Sequence, residues 1–171
     1  MNMNNQEKNT YVREHMLSAL MEMLGTTPLS DISVSDLVQK AGVGRASFYR
    51  NFTSVEDILI QEESRLFNAW REDYERVPEP DRVDFNESLL NYYKINERFY
   101  LTLYRCGLSY IIRDTILSSM SIEESDANPI AYLKSSLAYM IYGWVDEWMR
   151  RGMQESGTEL VKMMNDAQGR K

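Results

Sequence analysis

Cysteine and histidine are almost absent from this chain, and each scarcity excludes a kind of site. A single cysteine, Cys106, excludes a framework of intramolecular disulfides. One cysteine and one histidine, His15, cannot together supply a metal site of the Cys/His type. The sequence also has no glycine-rich phosphate loop, and its adjacent carboxylates diverge around a helix instead of sharing a site. We therefore expect no enzymatic activity, no metal and no cofactor.

Long apolar runs are missing as well. The sequence contains no stretch of eighteen apolar residues, so we expect no membrane span. The first residues, MNMNNQEKNTYVRE, lack the charged-then-apolar layout of a signal peptide. Together with the lone cysteine, these features predict a cytoplasmic protein.

What the chain does contain is helical periodicity, with no strand pattern and no internal repeat. Helices are predicted over residues 6–24, 54–76, 84–96, 97–104 and 108–120, with one more after Asn128-Pro129 and a last one after Ser156. Asn128 is expected to cap the helix that Pro129 begins. The hydrophobic content of 43% is enough for a packed interior, so we predict an all-α fold.

The segment from Ser33 to Phe52, SVSDLVQKAGVGRASFYRNF, predicts two short helices joined by a tight turn. Ser33 and Asp36 have the spacing of a capping box, which starts the first of these helices. Gly42 stands where a left-handed residue is easiest to place. The second helix is predicted over residues 45–51, with Phe48 and Phe52 facing inward. This is the pattern of a helix-turn-helix, whose second helix enters the major groove of DNA.

The same segment resembles the DNA-binding domain of the TetR family of bacterial repressors. The matching residues are Asp31-Ile32-Ser33-Val34, Ala41-Gly42-Val43-Gly44, Ser47-Phe48-Tyr49-Arg50-Asn51-Phe52 and Ser54-Val55-Glu56-Asp57. The resemblance implies an N-terminal three-helix helix-turn-helix domain, set here at residues 1–53. It also implies a C-terminal helical domain for ligand binding and dimerisation, set at residues 54–171. In the family a lysine that contacts a phosphate often follows Ser54, whereas this chain has Val55, and Gly44 stands where a capping serine is frequent.

The second helix of the motif carries the candidate DNA contacts. Arg45 lies at its N-terminal end, nearest the base edges, and arginine is the commonest reader of guanine. The start of the preceding helix is placed to meet the DNA backbone. The predicted contacts are Ser33, Val34, Ser35, Gly44, Arg45, Ala46, Ser47, Tyr49, Arg50 and Asn51.

Positive charge is scarce for a DNA-binding protein, because the net charge is −7. Residues 1–53 hold five basic and five acidic side chains, so the whole acidic excess lies in residues 54–171. A neutral N-terminal domain implies few phosphate contacts per subunit and a modest affinity for each one. Two such domains that bind DNA together would have a higher combined affinity than either domain alone.

The C-terminal residues give two further candidate sites. The family resemblance implies a pocket for a small-molecule effector, and aromatic residues with polar tips are candidates for its lining. They are Trp70, Tyr93, Tyr100, Tyr104 and Tyr110, each of which could equally belong to an ordinary core. In the family, the last two helices form the dimer. In this sequence, the first of these two helices, which Pro129 begins, is apolar on nearly all sides. The predicted interface consists of Tyr132, Met140, Ile141, Trp144, Trp148, Leu160 and Met164.

The sequence therefore predicts a homodimeric DNA-binding repressor, released from a pseudo-palindromic operator by a small molecule. An interaction module that has the same fold but binds no operator alone remains an alternative, and a small helical enzyme is the third reading. Cys106 is interpreted as a small buried hydrophobe, with a thiol sensor as its alternative.

Overall fold

The computed structural model describes residues 5–167 and residue 169, and in this part of the chain nine α-helices and no strands form. The helices are α1 (Asn5–Met23), α2 (Val34–Ala41), α3 (Arg45–Asn51), α4 (Val55–Arg76), α5 (Phe85–Ile95), α6 (Glu97–Arg105), α7 (Tyr110–Ser119), α8 (Asn128–Arg150) and α9 (Gly157–Ala167). The predicted all-α class is confirmed. None of the helices described is long and apolar enough to cross a lipid bilayer.

The chain divides into two compact units, one ending at Ser64 and the other beginning at Arg65. The division falls inside α4, which is continuous from Val55 to Arg76. The sequence predicts a boundary between residues 53 and 54, just before this helix starts.

The first unit is built around the mutual packing of α1, α2 and α3. Met16 and Leu20 of α1, Leu37 of α2 and Phe48 of α3 are fully buried. Leu59, near the start of α4, is also fully buried. Because α3 has only seven residues, it is far too short to persist alone, and the burial of Phe48 holds it in place.

In the second unit α5 packs along α9, while α6 and α7 pack against α8. Its largest fully buried side chains are aromatic: Tyr93 of α5, Tyr100 of α6 and Trp148 of α8. The rings of Tyr93 and Tyr100 are tilted against each other with centroids 4.4 Å apart.

The helix starts follow the predicted caps with one correction. Ser156 and Glu159 form a reciprocal capping box, in which Ser156 N donates to Glu159 Oε2 at 2.8 Å and Glu159 N donates to Ser156 Oγ at 3.2 Å. The predicted capping role of Asn128 is wrong. Ala127 has the extended backbone of an N-cap residue, so Asn128 is already helical and makes no side-chain cap.

Gly157 lets α9 approach α5 more closely than any side chain would allow. A Cβ atom at residue 157 would lie 2.4 Å from the backbone N of Asn91 and 2.7 Å from the backbone C of Leu90. Beside this contact Thr158 Oγ1 donates to Glu87 Oε1 at 2.7 Å and accepts from Asn91 Nδ2 at 3.1 Å.

We therefore expect Gly157→Ala to destabilise the second unit by about 1–3 kcal/mol or more, because backbone atoms cannot move aside cheaply. That loss should lower the midpoint of thermal unfolding by roughly 2–12 °C. Gly143→Ala is the matched control, since its Cβ meets nothing within 4 Å. Equal melting temperatures for the two variants would contradict the close-packing explanation.

Candidate nucleic-acid interface

The two helices of the motif are joined as the sequence predicted. Ser33 caps α2, its Oγ accepting from Asp36 N at 3.1 Å. Gly42 ends α2 in the left-handed region, with φ 66° and ψ 30°. The backbone N of Val43 then donates to Val38 O at 3.1 Å. This turn fixes the direction in which the chain leaves α2 and enters α3.

Helix α3 separates an inner face from an outer one. Phe48 and Phe52 are buried, which confirms the prediction that they face inward. The outer face is exposed, and Tyr49 retains 57% of its accessible surface. Of the predicted DNA contacts, the exposed ones are Ser33, Ser35, Gly44, Arg45, Ala46, Tyr49 and Arg50, whereas Val34, Ser47 and Asn51 are half-buried.

The back of α3 is held by a side chain that sequence reasoning missed. Gln61 of α4 donates through Nε2 to Asn51 O at 3.1 Å and to Asp57 Oδ2 at 2.9 Å. Its Oε1 accepts from Arg13 Nη2 of α1 at 2.6 Å. One amide therefore ties three helices together. No sequence signal could have found this contact, because Arg13 and Gln61 lie 48 residues apart.

Among the residues that the structure describes, most cations of the first 53 residues have no carboxylate partner. Lys40 pairs with Glu22 at 2.7 Å. Arg45 lies over the ring of Tyr49, with its Cζ 5.9 Å from the centroid. Arg50 donates only to oxygens of its own helix, Ala46 O at 3.3 Å and Ser47 Oγ at 3.2 Å. The first 53 residues have no net charge in total, yet the exposed side of α3 is locally positive, which favours contact with phosphate.

The candidate effector residues fall into two groups. Trp70, Tyr93 and Tyr100 are buried within the second unit. Trp70 also donates through Nε1 to Ser88 Oγ at 3.0 Å, which satisfies its polar tip inside the unit. Tyr104 and Tyr110 are half-buried, so they are the two members of the set that a ligand could reach from solvent.

The candidate dimer residues divide in a similar way. Ile141 and Trp148 are buried in the core of the second unit, which leaves them little surface for a partner. Tyr132 and Met140 are exposed, and the remaining three, Trp144, Leu160 and Met164, are half-buried. The hydrophobic periodicity of the sequence could not separate the buried candidates from the exposed ones, because both faces of α8 are apolar.

The structure also shows the surroundings of the single histidine, His15, and of the single cysteine, Cys106. The ring of His15 stacks on Tyr11 at 3.7 Å, and its Nδ1 contacts Tyr11 O at 2.9 Å. Burial raises the pKa of the Cys106 thiol, which disfavours the reactive thiolate. Within the part of the chain that the structure describes, no three His, Cys, Asp or Glu side chains are grouped to hold a metal.

Comparison with known proteins agrees with this geometry. Residues 16–61 match the family model described as "Bacterial regulatory proteins, tetR family". No curated protein matches the chain.

Two solved structures are similar in fold. The structure of Lin0861 from Listeria innocua matches with a TM-score of 0.75 and a sequence identity of 15%. The match covers 98% of this chain and 94% of that chain. The fatty acid degradation regulator FadR from Bacillus halodurans is 16% identical at a TM-score of 0.50, over 90% of this chain and 95% of that one. The match over residues 16–61 contains the whole helix-turn-helix, so this part of the chain is similar to the DNA-binding domain of the tetR family of bacterial regulatory proteins.

Proposed function

We propose that this DNA-binding transcriptional regulator is a cytoplasmic homodimeric repressor, released from a pseudo-palindromic operator by a small molecule. The observation that carries the proposal is the outer face of α3. Arg45 and Arg50 project from a short helix that is fixed from behind, and no described carboxylate neutralises them. Such a face is suited to base edges and phosphates together.

Dimerisation is supported by an apolar stripe along α8. Ile130, Leu133, Leu137 and Met140 recur at steps of three and four residues, and each keeps 40–57% of its surface exposed. This spacing is typical of a seam between two packed helices. A large exposed apolar patch of this kind marks an interaction surface. A second copy of the chain fits it best, because a symmetric dimer would present two helix-turn-helix domains to the two half-sites of an operator.

Release by an effector would follow from linkage between two conformations. A ligand that prefers the conformation with the wrong separation of the two α3 helices weakens operator binding by that preference. Tyr104 and Tyr110 are the candidates to line its site, since both are half-buried. We propose no catalytic role for the chain.

The test is selection of duplexes from a random pool, followed by gel shifts on the recovered sequence. We expect an inverted repeat whose half-sites are spaced by about one or two helical turns. Binding should be sensitive to salt and to sequence. Recovery of no preferred duplex would contradict the repressor and favour an interaction module of the same fold.

Arg45 should determine one base of the half-site. We expect Arg45→Ala to weaken binding to the selected duplex by about 1–3 kcal/mol per subunit and to relax the preference at one position. Arg45→Lys is the control, because it keeps the charge but loses the planar fork that contacts guanine twice. The lysine variant should keep more affinity than the alanine variant, yet lose the base preference. A full set of single-base competitors measures both effects, and unchanged preference in both variants would remove Arg45 from the site.

A further inference from the structure

A groove of about 470 Å³ lies between α1 and α3, beside the outer face of α3. Its lining includes Lys8, Asn9 and Tyr11 from α1, and Ser47, Arg50 and Asn51 from α3. None of these side chains is acidic. The groove therefore brings two cations from different helices to one concave surface, together with neutral amide and hydroxyl groups.

The charge of both cations is available to a ligand. Lys8 is exposed and makes no ion pair with any residue that the structure describes. Arg50 makes two long hydrogen bonds with the described part of the chain, at 3.3 and 3.2 Å, both to uncharged oxygens of its own helix. A phosphate oxygen would be a better acceptor than either, because bonds between ions are shorter and roughly twice as strong.

We propose that this groove binds a backbone phosphate of the operator, with Lys8 and Arg50 as its cationic ligands. The inference rests on the proposed DNA binding by α3 and adds α1 to the interface. Lys8 would position the protein on the duplex without reading sequence, as phosphate contacts do. Since the first 53 residues carry no net charge, one added contact is a large share of the phosphate contacts in each subunit.

The experiment compares Lys8→Gln with the wild-type chain by fluorescence anisotropy, using the duplex selected by the wild type at several KCl concentrations. The slope of log K against log salt should become shallower by about 0.9 per subunit. Affinity at 0.1 M salt should fall roughly fivefold to tenfold per subunit. The ratio between the selected duplex and a scrambled one should stay unchanged.

Two matched variants separate the groove from a general charge effect. Lys40→Gln removes the same charge from a lysine that is already paired with Glu22, and its slope should stay close to that of the wild type. Lys8→Arg keeps the cation and should retain the wild-type slope. Glutamine is a good helix former, and circular dichroism checks that α1 remains folded.

The outcomes distinguish this inference from the function on which it rests. A wild-type chain that binds its duplex with a salt-dependent affinity, alongside a Lys8→Gln variant of identical slope, overturns the phosphate groove alone. An equal drop in slope for Lys8→Gln and Lys40→Gln also overturns it, since the charge would then act without a site. A wild-type chain that binds no duplex overturns the groove and the repressor together.

Discussion

Leu137→Glu should convert the proposed dimer to monomers and weaken binding to the proposed operator by roughly 10²–10⁴-fold, the range expected when two linked contacts become one. Leu137 lies midway along the apolar stripe of α8 and keeps 40% of its surface exposed in the single subunit. A carboxylate there would remain solvated in the monomer but lose its water in the dimer. The charge should therefore disfavour association without disturbing the subunit core.

Sedimentation velocity measures the oligomeric state, and anisotropy on the selected duplex measures the affinity. Ile95→Glu is the control, because it introduces the same charge at an apolar residue that is 79% exposed and lies on α5 instead of α8. The control should remain dimeric and bind normally. If the Leu137 variant also stayed dimeric, the stripe would not be the interface.

Phe48→Ala should unfold much of the first unit. Phe48 is fully buried, and its ring packs against Phe52 with centroids 5.8 Å apart. Removing a buried phenylalanine costs about 3–5 kcal/mol. A unit of this size has a total stability of only roughly 3–10 kcal/mol, if stability scales with length. The loss is therefore half or more of that stability over most of this range, and α3 would lose the contact that holds it in its helical conformation.

Hydrogen exchange followed by peptide should show the effect as lost protection in α2 and α3. Tyr49→Ala is the matched control, since it removes the neighbouring aromatic ring from the exposed face of the same helix. Protection should survive in that variant, while its DNA affinity falls. Normal protection in Phe48→Ala would mean that α3 is stabilised mainly by other contacts.

Local structure in this chain could be predicted from sequence because its causes are local. The left-handed Gly42, the cap at Ser33 and the inward Phe48 each depend on residues within a few positions. Asn128 shows the limit of such rules, since the chain enters α8 through the extended backbone of Ala127 and moves the cap by one residue.

Contacts between distant segments could not be predicted in the same way. Periodicity gave α8 an apolar surface on most sides but could not say that Ile141 and Trp148 pack inside the subunit while Leu133 stays exposed. Nor could it pair α5 with α9, which meet through Gly157. The groove shared by Lys8 and Arg50 could not be predicted, because 42 residues separate its two cations along the chain.

The amide of Gln61 makes the placement of α3 adjustable from a residue of another helix, α4. Its nitrogen serves Asn51 O and the Asp57 carboxylate, and its oxygen serves Arg13. A glutamate in its place could still accept from Arg13 but could donate to neither acceptor, and two carboxylates would then face each other. Variation at this one residue could thus retune the tilt and stiffness of α3 while every side chain on its exposed face stays the same.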